Sequence, residues 1–320
     1  MKRYLVRRAL YTVPTILAVV VLSFFLIRLA PGDPTLVLAG EGSSPEYRDW
    51  ARQAYGLDKP FHEQLAIYVW NLLQGNLGRS YVFKEPVLNV ILERVPATIL
   101  LVATGLSIAV TLGVLLGLVS AGRPYSIRDN AIMSWSITTY SLPVFWVAQL
   151  LVLVFSIWLR LFPVTGMSSA RLQLSGLEYA IDVLWHLILP STSLAMVFMA
   201  LFARLTRTSV LEAMRMNYIL TARAKGLKRK EALSRHALPN AMLPVVTVLG
   251  VQFGLMIAGA VLTETVFAWP GVGRLLTDAV YFRDYPVVTG VFVLVTMSVI
   301  VANLITDLIY TVLDPRIRYA

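Results

Sequence analysis

Three histidines, no cysteines and 18 acidic side chains are what this chain offers for metal or nucleophilic chemistry, and their spacing does not suit it. His62, His186 and His236 lie far apart, and none belongs to an H-E-x-x-H pair, the helical spacing that brings two imidazoles to one zinc. The lack of cysteine excludes a disulfide framework, a thiolate metal site and a thiol nucleophile. Nothing matches G-x-x-x-x-G-K-[ST], whose backbone amides would cradle a nucleotide's phosphates. Energy for any active process must therefore come from elsewhere.

What remains is polar and mechanical chemistry, concentrated in a long basic segment from Arg204 to Pro239. Leu211, Met214, Tyr218 and Ala222 recur at helical spacing and give this polar stretch one apolar stripe. Gly226 is placed to end that helix in a left-handed cap, and a second short helix is expected from Lys228 to about Ala237. Pro239 and Pro244 are expected to mark the start of the following apolar helix, since proline tolerates a first turn but not an interior. Two helices joined at a glycine form a bent arm. Such an arm could rest on anionic headgroups, each Lys or Arg contributing on the order of 1 kcal/mol. It could equally dock a cytosolic partner, with an apolar ridge to fill a cleft and a rigid bend, closed by Leu238-Pro239, to transmit force.

The elements that position this arm must be membrane helices. Of 320 residues 57% are hydrophobic and 14% charged, and the mean hydropathy is +0.70, too little polar surface for a water-soluble globule. Six stretches without Asp, Glu, Lys or Arg can each cross roughly 30 Å of hydrocarbon. They run Leu10–Ile27, Val95–Gly122, Asn130–Leu159, Val183–Ala203, Ala237–Thr263 and Tyr285–Thr306. With the N-terminus inside, about 17 of the 28 basic residues fall in cytoplasmic segments, and six spans bring the C-terminus inside as well. In that frame the net charge of +10 reports orientation rather than nucleic-acid binding. The expected layout is a cytoplasmic N-terminus (1–9), a first span (10–29), an extracytoplasmic loop (30–94) and a core of five spans (95–320) with the arm at 204–239. The first span reads as uncleaved, because Arg28 and Pro31 flank Ala30 and make a poor signal-peptidase site.

The outer loop is expected to carry two short helices. Ser44-Pro45-Glu46 supplies an N-cap, a proline at the first helical position and an acid in the first turn, with Gly56 as the stop. Phe61, Leu65, Tyr68, Leu72 and Leu73 place one apolar face on a second helix too short to span. Gly105, Ala109, Gly113 and Gly117 form a small-residue stripe for close helix packing, as do Gly250, Gly254 and Ala258. Few polar side chains enter the spans. Gln252, Gln149 and Asn303 are the candidates for lining a path, while Asp307 lies about two turns from the inner surface.

The arm sequence Tyr218-Ile219-Leu220-Thr221-Ala222-Arg223-Ala224-Lys225-Gly226, followed by Leu238-Pro239, resembles the EAA loop of permease subunits in binding-protein-dependent ABC importers. Leu220 and Thr221 stand where the glutamate and first alanine would be, as in the dipeptide, oligopeptide and nickel branch. Pro31-Gly32-Asp33-Pro34, Leu142-Pro143-Val144-Phe145-Trp146 and Asn240-Ala241-Met242-Leu243-Pro244 are similar to that branch. So are Leu262 to Phe267, Trp269-Pro270-Gly271, Arg283-Asp284-Tyr285-Pro286 and Asp314 to Arg318.

The resemblance implies an all-α type I importer permease of about six spans with a cytoplasmic coupling loop between spans 4 and 5. Its partners would be a second, homologous permease, two ABC ATPases and an extracytoplasmic solute-binding protein, in membrane lipid and without nucleic acid. ATP and magnesium would sit on the ATPases, leaving this chain without a cofactor, a metal or a catalytic residue. Met214, Tyr218, Thr221, Ala222, Ala224, Gly226, Leu238 and Pro239 would couple to the ATPase. Dipeptides or short oligopeptides are the leading cargo, with nickel chelates and glutathione as alternatives in the same branch. A gradient-driven carrier would need buried acids and internal repeats that the spans lack. A scaffold that only recruits a cytosolic partner would leave the outer loop and the glycines and prolines of the last spans unexplained.

Overall fold

The computed structural model describes residues 14–22, 24–25, 44–54, 56, 58–169 and 174–313. The Pro31–Pro34 motif, the closing Asp314–Arg318 motif and the basic residues at the N-terminus lie outside these, as does the side chain of Asp307. Among the described residues the regular structure is helical, with one isolated antiparallel bridge between Arg79 and Pro86. The helices are α1 (Pro45–Ala54), α2 (Phe61–Leu73), α3 (Val87–Gly122), α4 (Ile127–Ser141), α5 (Val144–Leu151), α6 (Gly176–Met214), α7 (Asn217–Ala224), α8 (Arg229–Ala232), α9 (Leu238–Val266), α10 (Val272–Tyr281) and α11 (Tyr285–Leu313). Among the described residues four are long and apolar enough to cross a membrane: α3, α6, the stretch 229–257 that runs through α8 into α9, and the 285–304 part of α11. Of the expected first span, residues 14–22 and 24–25 are helical.

The chain forms two compact units. One gathers the described residues up to 98 with 270–300. Its apolar core joins Val87, Val90 and Ile91 at the head of α3 to Leu275 of α10 and Val287 and Val291 of α11. Both expected loop helices are present. Gly56 closes α1 with φ +64, its N–H donating to Gln53 O at 3.0 Å. On α2, Leu65, Tyr68 and Leu72 are partly covered, with the Tyr68 ring 6.2 Å from that of Phe24, whereas Phe61 and Leu73 are exposed. The amphipathic α10, with Val272, Leu275 and Ala279 buried, has no counterpart among the expected elements.

The other unit gathers residues 99–269 with the end of α11. The glycine stripe of α3 does what lipid demands, bringing two backbones together where hydrophobic drive is missing. A Cβ on Gly113 would lie 2.6 Å from Phe202 Cβ, and one on Gly117 2.6 Å from Ala203 O, both on α6.

The expected third span is not one rod. Leu142, at φ −85 and ψ 136, is extended because the Pro143 ring excludes helical conformations from the residue before it. Helix restarts at Val144, and the 127–141 and 144–158 pieces meet at 103°. The second piece ends in a π-helical turn, Val152–Trp158. Counting the pair as one span gives up to five among the described residues, by length and composition.

Candidate functional site

The basic segment folds as the bent arm its sequence suggests, with different joints. The apolar stripe is not carried on one helix: α6 stops at Met214, Arg215 and Met216 turn, and α7 begins at Asn217. The break divides the stripe by face. Ile219 and Ala222 are buried in a cluster with Val210, Ala213, Ala232, Ala237 and Ala241, against which Met214 packs. The opposite side of the arm leaves Met216, Tyr218 and Leu220 at 41–56% exposure, with Thr221 and Ala224 also exposed. Of the proposed coupling residues, Ala222 and Met214 therefore hold the arm to its own chain, while Tyr218, Thr221 and Ala224 face outward.

Gly226 is the joint between α7 and α8. At φ +91 it donates to Arg223 O at 2.9 Å while Leu227 N–H reaches back to Ala222 O at 3.3 Å, the paired bonds that close a helix through a left-handed residue. Nothing lies within 4 Å of a Cβ built there, so the requirement is conformational, not steric.

After this joint, α8 starts with the Lys228 N–H donating to Glu231 Oε2 at 3.3 Å. Pro239 falls in the first turn of α9 as expected, but no break separates α9 from the limb before it, and Pro244, expected at the helix entry as well, lies inside it. Helix continues from α8 through a π-helical turn, Leu233–Ala237, directly into α9, with Leu238 half-buried, Pro239 exposed in its first turn and Pro244 inside it. The widened turn lies where a proline would otherwise strip a hydrogen bond and press on the carbonyl four residues earlier, which explains how the helix absorbs Pro239. Asn240 Nδ2 donates to the Tyr218 hydroxyl at 3.4 Å and to His236 O at 2.9 Å, linking the two limbs of the elbow.

Sequence reasoning missed the clamp behind the arm. Asp129, with its side chain fully buried at the start of α4, receives Arg207 Nε at 2.6 Å and Nη2 at 2.7 Å from α6. It also accepts from the Ser120 hydroxyl and, at 2.7 Å, from Tyr125 N–H. An Asp at the third position of a helix after a Ser N-cap was the available signal, but its partner lies 78 residues away.

The three path candidates sit on different helices. Gln149 is exposed on α5, and Gln252 on α9 and Asn303 on α11 are half-buried; no hydrogen bond joins them.

The family described as "Binding-protein-dependent transport system inner membrane component" matches residues 113–319, and its N-terminal companion matches 1–102. The chain belongs to this family. Relatives of this transport component include the dipeptide transport system permease protein DppB of Escherichia coli K12, 39% identical over all of this chain and 99% of that one. The di/tripeptide permease DppB of Pseudomonas aeruginosa UCBPP-PA14 is 41% identical over the same shares, and a putative peptide permease of Brucella abortus 2308 is 40% identical over the full length of both. Among solved structures, the MetNI methionine ABC transporter in an inward-facing form aligns with TM-score 0.56 and 16% identity, over 71% of this transport component and 97% of that chain. An amino acid ABC transporter with histidines aligns with TM-score 0.51 and 14% identity, over 72% and 94%. These two share the fold.

Proposed function

We propose that this inner-membrane permease carries dipeptides or short oligopeptides as one half of an ATP-driven, binding-protein-dependent importer. The observation that carries the coupling part is the elbow: an outward ridge of Met216, Tyr218 and Leu220 on α7, a left-handed hinge at Gly226, and a second limb continuous with α9. Full-length similarity near 40% to peptide permeases supports the cargo.

In this reading the chain has six spans with both termini inside, and the arm lies in the groove of a cytosolic ATPase. A second permease completes the path, two ATPases bind ATP and magnesium, and a solute-binding protein delivers cargo from outside. The chain itself binds no cofactor and catalyses nothing. Tyr218, Thr221 and Ala224 touch the ATPase, Gly226, Leu238 and Pro239 fix the angle, and Met214 and Ala222 anchor the arm. ATPase closure then pushes the arm and shifts the permeases between inward- and outward-facing states. Gln252, Gln149 and Asn303 face the path.

The test is affinity purification from native membrane with mass spectrometry of the partners, followed by dipeptide uptake in vesicles. Wild type should bring down a P-loop ATPase and a second permease, and Gly226→Trp should lose the ATPase. Absence of any ATPase from intact wild type would overturn the reading in favour of a gradient-driven carrier.

A further inference from the structure

Helix α4 differs from the long apolar helices in what it leaves uncovered. Asn130, Ser134, Thr138 and Ser141 recur at three- and four-residue spacing and are all exposed, a polar stripe along a piece of a membrane span. Beside the stripe a cavity of about 230 Å³ opens between α4 and α6, lined by Met133, Ser136, Ile137, Tyr140, Leu201 and Arg204, with Ser141 at its margin.

Two polar groups in this cavity are uncommitted. Ser136 is only 3% exposed, yet its hydroxyl has no hydrogen-bond partner. Thr139 and Ser141 on the same helix return theirs to the carbonyls of Trp135 and Ile137 at 2.9 Å. The Arg204 guanidinium lies 5.7 Å from the centre of the Tyr140 ring, a cation over an aromatic face, and has no carboxylate or carbonyl acceptor among the described residues. Arg207, one turn further in, is consumed by Asp129. Arg204 is exposed where the apolar part of α6 gives way to the arm, so its guanidinium faces water or meets an anion, which hydrocarbon could not replace.

We propose that this cavity is an oxyanion station on the cargo path, taking the terminal carboxylate of a peptide in transit. The proposal rests on the peptide-permease reading above. The planar fork of Arg204 matches a carboxylate, and the Ser136 hydroxyl supplies a further donor. The stripe offers hydroxyls and one amide to peptide groups irrespective of sequence, as a path for varied peptides needs. Binding spread over such sites is weak enough to let the cargo leave.

Because the chain has no cysteine, Ser141→Cys places its single thiol beside the cavity. In the assembled transporter in membrane vesicles, a membrane-impermeant methanethiosulfonate should label that thiol, and excess dipeptide during turnover should slow the labelling. No labelling in either the nucleotide-free or the ATP-driven state would put the cavity against lipid or protein and overturn the proposal. In parallel, uptake of a dipeptide and of its C-terminal amide is compared in wild type, Arg204→Lys and Arg204→Gln with one saturating binding protein. The shared binding protein cancels in the ratio of ratios. Arg204→Gln should slow the free dipeptide about tenfold more than the amide, the scale of one charge-assisted contact, with Arg204→Lys in between. Equal slowing of both cargoes, or slowing seen only with anionic lipid, would assign Arg204 to structure or to a lipid phosphate and overturn the proposal. If wild type carries no dipeptide at all, the peptide reading itself has failed and the station falls with it.

Discussion

Arg207 grips Asp129 with two parallel hydrogen bonds, Nε to Oδ1 at 2.6 Å and Nη2 to Oδ2 at 2.7 Å, and so ties the head of α4 to the stretch of α6 that leads into the arm. Ser120 and Tyr125 bring the end of α3 and the following loop into the same carboxylate. A fork of this kind is strong because both partners are charged and the geometry is planar.

Asp129→Ala should destabilise the protein by about 3 kcal/mol, the low end for removing one member of a buried pair, since Arg207 keeps 20% of its side chain in contact with solvent. Arg207→Lys, which keeps the charge and loses the fork, should cost less. Thermal denaturation of the purified protein ranks the two, and equal melting temperatures for wild type and Asp129→Ala would deny the clamp any weight.

At Gly226 the strain of a left-handed residue predicts an order of variants. Gly226→Asn, tolerant of that conformation, should keep most of the ATPase association, whereas Gly226→Ala should lose about 1–2 kcal/mol of hinge stability. Crowding would give another order, smallest residue best; the open space around the site excludes it. Co-purified ATPase per permease measures the difference.

Gly113→Ala should cost about 1–3 kcal/mol through overpacking, because the new methyl would sit 2.6 Å from Phe202 Cβ and 2.8 Å from Met199 O. Gly122→Ala, with nothing within 4 Å, is the matched control and should melt like wild type. Monodispersity and melting temperature in detergent report both.

Buried Asp284 accepts from the Ser80 hydroxyl and from the N–H groups of Tyr81 and Val82, at 3.1 Å each for the amides. Asp284→Ala leaves those donors unpaired at about 1–3 kcal/mol for the turn. Limited trypsin digestion of the purified protein should then cut at exposed Arg79 or Lys84 faster than in wild type. An unchanged digestion rate would mean that the turn is held by something else.

Features decided within a few residues were legible in the sequence. Ser44-Pro45 and Gly56 bracket a helix, and Gly226 ends one, because capping depends on backbone groups a turn away. The glycines of α3 announced a close contact but not its partner, α6. Proline was legible as a type and not as an outcome: Pro143 breaks a run whose apolarity suggested one span, while a π-helical turn accommodates Pro239 where a boundary was expected. The division of the arm into a held face and a free face needed the turn at Arg215–Met216, which no breaker residue signals. The Asp129–Arg207 clamp and the uncommitted Ser136 and Arg204 depend on which helices lie side by side, information that periodicity along one helix does not contain.

From Arg229 to Val266 the backbone runs as helix without a loop, roughly 55 Å at 1.5 Å per residue. No loop interrupts it, and its π-helical turn and Pro244 are where it can bend. A tilt imposed at its Arg229 end would reappear, reversed in direction, at its far end, with the point where neighbouring helices grip it acting as fulcrum. In the coupling reading proposed above, a small push on the arm would open one mouth of the path as it narrows the other.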